Sequence, residues 1–188
     1  MSGESRLWLI RHAPVNGPRG VIHDSNAPAD TRDAAQFARL RALLPAGHVA
    51  VSSPARRTVE TAAALGLTAT KEPAFREQGF GAWTGRRHAE LAQDYGDAYR
   101  DFWRNAATNR PPGGESFADQ VARVAPGLAA LPDGDVVLVV HSGTIRAAIA
   151  IALDIDPERA LRFVIDPLSL TRIDRLERDW RIVSVNCR

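Results

Sequence analysis

Apolar residues in this chain gather into short unbroken runs, and the stretches between them carry helical period. Leu7-Trp8-Leu9-Ile10 predicts a buried strand over residues 6–11, and Pro14, Gly17, Pro18 and Gly20 predict a loop after it. Residues 31–44 have the amphipathic pattern of a helix, with Thr31 as its N-cap and Pro45-Ala46-Gly47 as its stop. A second strand follows at His48-Val49-Ala50-Val51-Ser52. Ser53-Pro54 then opens a helix that runs through about Leu65 and ends at Gly66. Residues 68–84 read as short strand and loop, and 86–106 as one aromatic-rich helix. Beyond the break at Pro111-Pro112-Gly113-Gly114 come a helix at 116–130, a strand at 136–140 and a helix at 143–153. Three further strands, near 161–166, 168–174 and 181–185, suit antiparallel pairing. Alternating strands and helices bury a sheet on both faces. The expected fold is therefore α/β, a three-layer α/β/α sandwich around a mostly parallel mixed sheet.

Composition narrows this picture. The 188 residues suit one domain spanning 1–188, and 45% hydrophobic with 24% charged residues is the balance of a folded globular chain. No stretch reaches the ~20 apolar residues of a membrane span. Met1-Ser2-Gly3-Glu4-Ser5-Arg6 lacks the apolar core of a secretory leader. Cys187 is the only cysteine, which excludes an intrachain disulfide and a cysteine-based metal site. A cytoplasmic protein without membrane attachment is expected. Net charge is +2 and the arginines are scattered, so no nucleic-acid partner is expected. Lys71 is the sole lysine among 24 lysines and arginines, a bias that genome composition accounts for.

Two histidines stand at strand ends: His12, beside Arg11, after the first strand, and His141 after the strand at 136–140. In open α/β sheets such ends converge on the ligand crevice. Neutral imidazole can attack phosphorus and form a covalent intermediate, and an arginine fork matches phosphate oxygens. A purely structural strand-end histidine is the plain alternative for His12 taken alone. Arg56 and Arg57 lie in the first turn of the helix after the second strand, where anions are favoured. Their side chains point ~100° apart, so only one can face the crevice. Glu77 sits among Gly79, Phe80, Gly81 and Trp83, where desolvation would keep a proton on it for a leaving group. A surface pair with Arg76 is its alternative. His141 precedes Ser142-Gly143 and a helix start, a place from which it can stabilise charge on a transferred phosphoryl group. His23, His48 and His88 lack such settings and read as structural or surface residues. Metal-ligand spacing and a nucleotide-type glycine loop are both missing, so neither metal nor cofactor is expected.

Five motifs then stand in order. They are Arg11-His12; Ser53, Arg57 and Thr61; Glu77 before Gly81-Ala82-Trp83; Gly114-Glu115-Ser116; and His141-Ser142-Gly143. Together they make the chain resemble the histidine phosphatase superfamily, with its phosphoglycerate mutase-like fold, over nearly its whole length. The resemblance selects Arg57 as the phosphate arginine and turns Arg56 outward. It implies two-step phosphoryl transfer without metal. His12 would become phosphohistidine, Arg11, Arg57 and His141 would hold the phosphoryl oxygens, and Glu77 would act as acid and then base. The first loop departs from the family pattern: Ala13 replaces a glycine and Pro18 fills an asparagine position, with Asn16 a candidate replacement ligand. The opening run and Gly114–Val124 are most similar to alpha-ribazole phosphatases of cobalamin assembly, which implies a small phosphate ester as partner. Broad phosphomonoesterases share the short form. Residues 83–110, with Trp83, Arg86, Arg87, Tyr99 and Trp103, are expected to cover the pocket; their aromatics either stack on a base or serve as core, and core is the favoured reading. A phosphomutase and a non-catalytic phospho-ligand binding module remain the alternatives.

Overall fold

The computed structural model describes residues 4–188; Met1, Ser2 and Gly3 of the segment read for a leader lie outside the described residues. Its central sheet has six strands in the order β3-β2-β4-β1-β5-β6. These are β1 (Ser5–Arg11), β2 (Val49–Ser52), β3 (Thr70–Lys71), β4 (Gly134–Val140), β5 (Leu170–Arg175) and β6 (Trp180–Cys187). The pairs β1–β4, β2–β4 and β2–β3 are parallel, whereas β1–β5 and β5–β6 are antiparallel. This is the mostly parallel mixed sheet of the sequence reading, antiparallel pairing near the C-terminus included.

Side chains of a strand alternate between faces, so an apolar run buried on both sides supplies two cores. Leu7, Leu9, Val136, Leu138 and Val140 face one layer. That layer holds α5 (Phe117–Ala129) and α6 (Ser142–Leu153), whose Phe117, Val124, Leu128, Ile145 and Ile149 fill it. Ile10, Val137 and Val139 face the other layer, built from α1 (Ala34–Leu43) and α2 (Arg56–Ala64) through Phe37, Leu40 and Ala62, with Leu65 at the C-cap of α2. A third, smaller cluster lies away from the sheet. Ile22, Trp83, Leu91, Tyr99 and Phe102 form it, with α3 (His88–Tyr95) and α4 (Asp97–Arg104) contributing four of the five with the turn before them.

Three elements differ from expectation for local reasons. Helix α1 is capped by Asp33, whose carboxylate accepts from the Gln36 amide, and not by Thr31. The helix expected over 86–106 is broken in two at Gly96, where φ is 52°. Residues 161–166 form a turn and then an irregular stretch after the short α7 (Pro157–Ala160), and make no strand. Carbonyls that a strand would give to its neighbours are taken there by side chains. Arg146 Nε donates to Phe163 O at 2.8 Å, and Arg11 Nη1 to Ile165 O at 2.5 Å.

Candidate active site

The sheet brings the two strand-end histidines together. Arg11 stands opposite Val140 in the β1–β4 register, so the next residues, His12 and His141, leave adjacent strands side by side. The His12 amide still donates to Val140 O at 2.9 Å, and the Ser53 amide, at the end of β2, to Val139 O at 3.1 Å. The rings of His12 and His141 lie edge to face with centroids 5.1 Å apart. Arg57 bridges them. Its Nε donates to His12 Nε2 at 3.2 Å, its Nη2 contacts His141 Nδ1 at 3.3 Å, and its Nη1 donates to Asp24 O at 2.7 Å.

These contacts fix both tautomers. A carbonyl only accepts, so His12 Nδ1, 2.7 Å from Ala13 O, must carry the proton and Nε2 keeps its lone pair. Guanidinium only donates, so His141 Nδ1 is the acceptor and its Nε2–H donates to Ser53 Oγ at 2.8 Å. Burial pushes the pKa of His12 well below the ordinary histidine value, and His141 and Arg57 add to the effect. Burial does the same to His141, reinforced by Arg57 and Arg11. Both imidazoles are thus neutral at pH 7, the state in which nitrogen is nucleophilic.

The spacing Ser53-x-x-x-Arg57-x-x-x-Thr61 has a mechanical explanation. Residues four apart on a helix share a face, so Arg57 and Thr61 both point inward from α2. Thr61 Oγ1 donates to Arg57 O at 2.7 Å and accepts from the Ala13 amide at 3.0 Å, which pins the chain just after His12. Ser53 orients His141 in the same way. Arg56, one residue from Arg57, points outward and pairs with Glu60 at 2.6 Å.

Glu77 comes from a loop braced on another. Ala82 N donates to Pro112 O at 2.9 Å, Glu115 N to Gly79 O at 2.8 Å, and Gln78 Nε2 to Glu115 O at 2.8 Å. Gly81, at φ 52°, lies so close to the second loop that a Cβ would sit 2.2 Å from Pro112 O. Glu115 is itself ion-paired with Arg123. Thus Gly81 and the Gly-Glu-Ser motif are the two halves of one clasp. Glu77 Oε1 accepts from the Gln78 amide and from Gln120 Nε2, each at 3.2 Å, and no ion pair joins it to Arg76. Its Oε2 lies 3.5 Å from Ser142 Oγ and from the Gly143 amide at the start of α6. A Cβ on Gly143 would be 2.2 Å from Glu77 Oε1. The glycine of His-x-Gly is therefore the space that the carboxylate occupies.

Arg11, His12, Arg57, Glu77 and His141 all line one cleft of about 1120 Å³. Burial lowers the pKa of Arg11, and its buried Nε has no partner. Neither Arg11 nor Arg57 has a carboxylate within ion-pair distance among the described residues, although thirteen such pairs occur elsewhere. Two guanidinium groups without a carboxylate partner, beside a neutral imidazole, form a receptor for a tetrahedral oxyanion.

Residues 7–188 match the sequence model of the histidine phosphatase superfamily, branch 1. The chain belongs to this superfamily. Glucosyl-3-phosphoglycerate phosphatase of Mycobacterium tuberculosis is 40% identical to it over 119 residues, 55% of this chain and 53% of that protein. A 2,3-bisphosphoglycerate-dependent phosphoglycerate mutase of Methylocella silvestris is 37% identical over 98 residues, 49% of this chain and 48% of that one. The chain matches about half the length of these curated relatives. Similarity in three dimensions is more complete. The mycobacterial glucosyl-3-phosphoglycerate phosphatase structure superposes with a TM-score of 0.85 at 28% identity, covering 98% of this chain and all of that one. A putative alpha-ribazole-5'-P phosphatase from Escherichia coli also gives 0.85, at 25% identity over 97% and 96% of the two chains.

The cleft of this superfamily member also holds residues that sequence reasoning passed over. His23 and His88, read as structural or surface residues, line it, although His88 Nδ1 is also paired with Tyr99 OH at 2.5 Å. His48 stays remote, bonded to Pro45 O. Trp83 and Tyr99 are core as expected, but Trp103 is 45% exposed and faces the cleft. Asn16 is exposed and does not line the cleft; its amide serves the loop by donating to Pro28 O. Arg146 lines the cleft and Gln120 lies buried behind Glu77; both were missed because each sits inside a helix where nothing local marks the direction of the site. Arg146 is the fifth residue of α6, and its pKa is lowered by burial and raised by Glu77.

Proposed function

We propose that this chain is a phosphomonoesterase that works through a phosphohistidine on His12. The observation that carries the reading is the Nε2 lone pair of His12, kept unprotonated by Ala13 O behind it and flanked by Arg57. In the first step Nε2 attacks phosphorus and the bond from phosphorus to the ester oxygen breaks. Glu77 passes its proton to the departing oxygen. In the second step Glu77, now a carboxylate, takes a proton from water as that water attacks phosphorus, and the phosphorus–nitrogen bond breaks. Arg11 and Arg57 hold the phosphoryl oxygens throughout, and His141, whose Nδ1 accepts from Arg57 and whose Nε2–H donates to Ser53, acts in this scheme by aligning the Arg57 fork. The scheme asks nothing of a metal ion, and a cytoplasmic setting suits it.

The substrate reading is finer. Alpha-ribazole 5'-phosphate is one candidate, supported by the likeness to the Escherichia coli structure. Arg146 supplies a specific reason for a second. It is an additional cleft cation without a carboxylate partner among the described residues, and it suits an ester with another negative group. Glucosyl-3-phosphoglycerate, named for the mycobacterial relative, carries a carboxylate. Segment 83–110, which places Thr84, His88, Trp103 and Ala106 on the cleft, is proposed to cover whichever ester binds.

The test is a rapid acid-free quench after mixing with a phosphate ester labelled in its phosphoryl group. An acid-labile, alkali-stable label is expected on wild-type protein and none on His12→Ala. A label that persists in His12→Ala overturns the assignment. Transfer to a glycerate acceptor in preference to water would instead make the protein a mutase. Phosphate binding without turnover of any ester in a broad panel would make it a binding module.

A further inference from the structure

Gln120 has no part in the scheme above, yet it touches the proposed proton donor. Its side chain is fully buried on α5. Nε2 donates to Arg76 O at 3.1 Å and to Glu77 Oε1 at 3.2 Å, while its own Oε1 is buried without a partner. Burying an amide with half of its capacity unmet is a costly way to hold a helix, and leucine would pack there without that cost. Helix cohesion alone therefore does not account for it. The backbone does not need it either, because Arg76 O also receives Arg123 Nη1 at 3.2 Å and Thr144 Oγ1 at 3.4 Å.

Its geometry is oriented. Arg76 O can only accept, so it fixes the amide with nitrogen, not oxygen, toward Glu77. Gln120 Nε2 and the Gln78 amide then place two donors on the same carboxylate oxygen, Oε1. Oε2 also has two donors nearby, Ser142 Oγ and the Gly143 amide, but at 3.5 Å each against 3.2 Å at Oε1, and the Ser142 hydroxyl can turn its hydrogen away. The more closely held Oε1 is the poorer place for a proton, so the neutral carboxyl carries its hydrogen on Oε2. Resting on the phosphomonoesterase reading, we propose that Gln120 is a positioning residue that keeps the proton of Glu77 on Oε2, aimed at the departing ester oxygen. Gly143 cooperates by leaving room: a Cβ there would meet both Glu77 Oε1 at 2.2 Å and Gln120 Oε1 at 2.6 Å. Without the amide the carboxyl turns about its last bond and presents either oxygen.

Leaving-group dependence separates this role from a structural one. An aryl ester such as p-nitrophenyl phosphate departs as a stable phenolate and needs little proton transfer, whereas glycerol phosphate departs as an alkoxide and needs it fully. Gln120→Leu should lower kcat/KM for glycerol phosphate roughly tenfold or more beyond any loss on the aryl ester, a part of the range that general acids contribute. Gln120→Met gives a second packing-neutral variant, and thermal unfolding with and without inorganic phosphate verifies that each folds and keeps the anion site. Equal losses on both esters, or no loss on either, overturn the proposal while leaving the phosphohistidine reading intact. If wild-type protein hydrolyses neither ester and forms no phosphohistidine, the underlying reading fails, and this one fails with it.

Discussion

Arg57 is the residue whose replacement should do the most damage for the least structural change. Its side chain is buried, and it contacts His12 Nε2, His141 Nδ1 and Asp24 O. Methionine keeps most of the stem and removes the fork. Two of the three donors face the histidines and become available to phosphoryl oxygens in the complex. Hydrogen bonds to a charged group contribute about 1.5–3 kcal/mol each, so losing two costs about 3–6 kcal/mol. At about 1.4 kcal/mol per factor of ten, kcat/KM should fall by roughly two to four orders of magnitude. A second signature accompanies the loss. Arg57 is among the causes that hold the His12 and His141 pKa values down, so both rise toward the ordinary value when it goes. His12 must be neutral to attack, and a raised pKa protonates it at higher pH. The acid limb of the activity profile should accordingly move to higher pH in Arg57→Met. Arg57→Lys should recover part of the binding without the fork, because an ammonium group cannot reach both partners in one plane. Steady-state kinetics over roughly pH 4 to 9, with phosphohistidine trapping at each pH, would read both effects. A variant within tenfold of wild type, or an unmoved acid limb, would refute the bridging role.

Three further outcomes are expected. Gly143→Ala should retain the fold, since alanine favours a helix over glycine by about 1 kcal/mol. Its Cβ should nevertheless displace Glu77 and lower turnover of alkyl esters by up to about a hundredfold, the scale of a 1 Å misplacement; unchanged alkyl-ester kinetics would count against it. Stability should decline as pH falls below about 6.5, because the unfolded chain then takes up protons that the two buried histidines refuse. The slope is at most about 1.4 kcal/mol per pH unit for each histidine, and stability from this source is complete above pH 7. Thermal denaturation of wild type and of the His12→Asn/His141→Asn double variant should diverge in this window; parallel curves would contradict it. Arg146→Met should raise KM for carboxylate-bearing phosphate esters about tenfold while leaving glycerol phosphate little affected, in line with one charged hydrogen bond. Equal effects on both substrates would remove Arg146 from substrate recognition.

The sheet was legible because β1 and β4 are apolar on both faces, and a run such as Val136–Val140 leaves few other readings. Helix boundaries were less so. Asp33 outcompetes Thr31 as a cap because its carboxylate reaches the free Gln36 amide, and spacing alone does not reveal that. Residues 161–166 have strand-like composition, but Arg11 and Arg146, distant in sequence, claim the carbonyls of Ile165 and Phe163. In the site, strand-end histidines and the four-residue spacing of Ser53, Arg57 and Thr61 were visible in one dimension. Gln120 was not, since its partners Arg76 and Glu77 lie more than forty positions away. His23 and His88 come from loop and helix start, where direction depends on the packing of α3 and α4.

The small cluster of Ile22, Trp83, Leu91, Tyr99 and Phe102 is packed separately from the two cores that flank the sheet. Mutational drift on the two sides is thereby uncoupled, because side chains in separate contact groups change stability nearly additively. The helical segment can exchange its aromatic residues, and with them the wall that Trp103 and His88 give the cleft, while Arg57, Ser53 and Thr61 keep their alignment to the strands. If the proposed phosphomonoesterase scheme holds, a fold divided in this way can diversify its choice of ester without relearning how to cleave one.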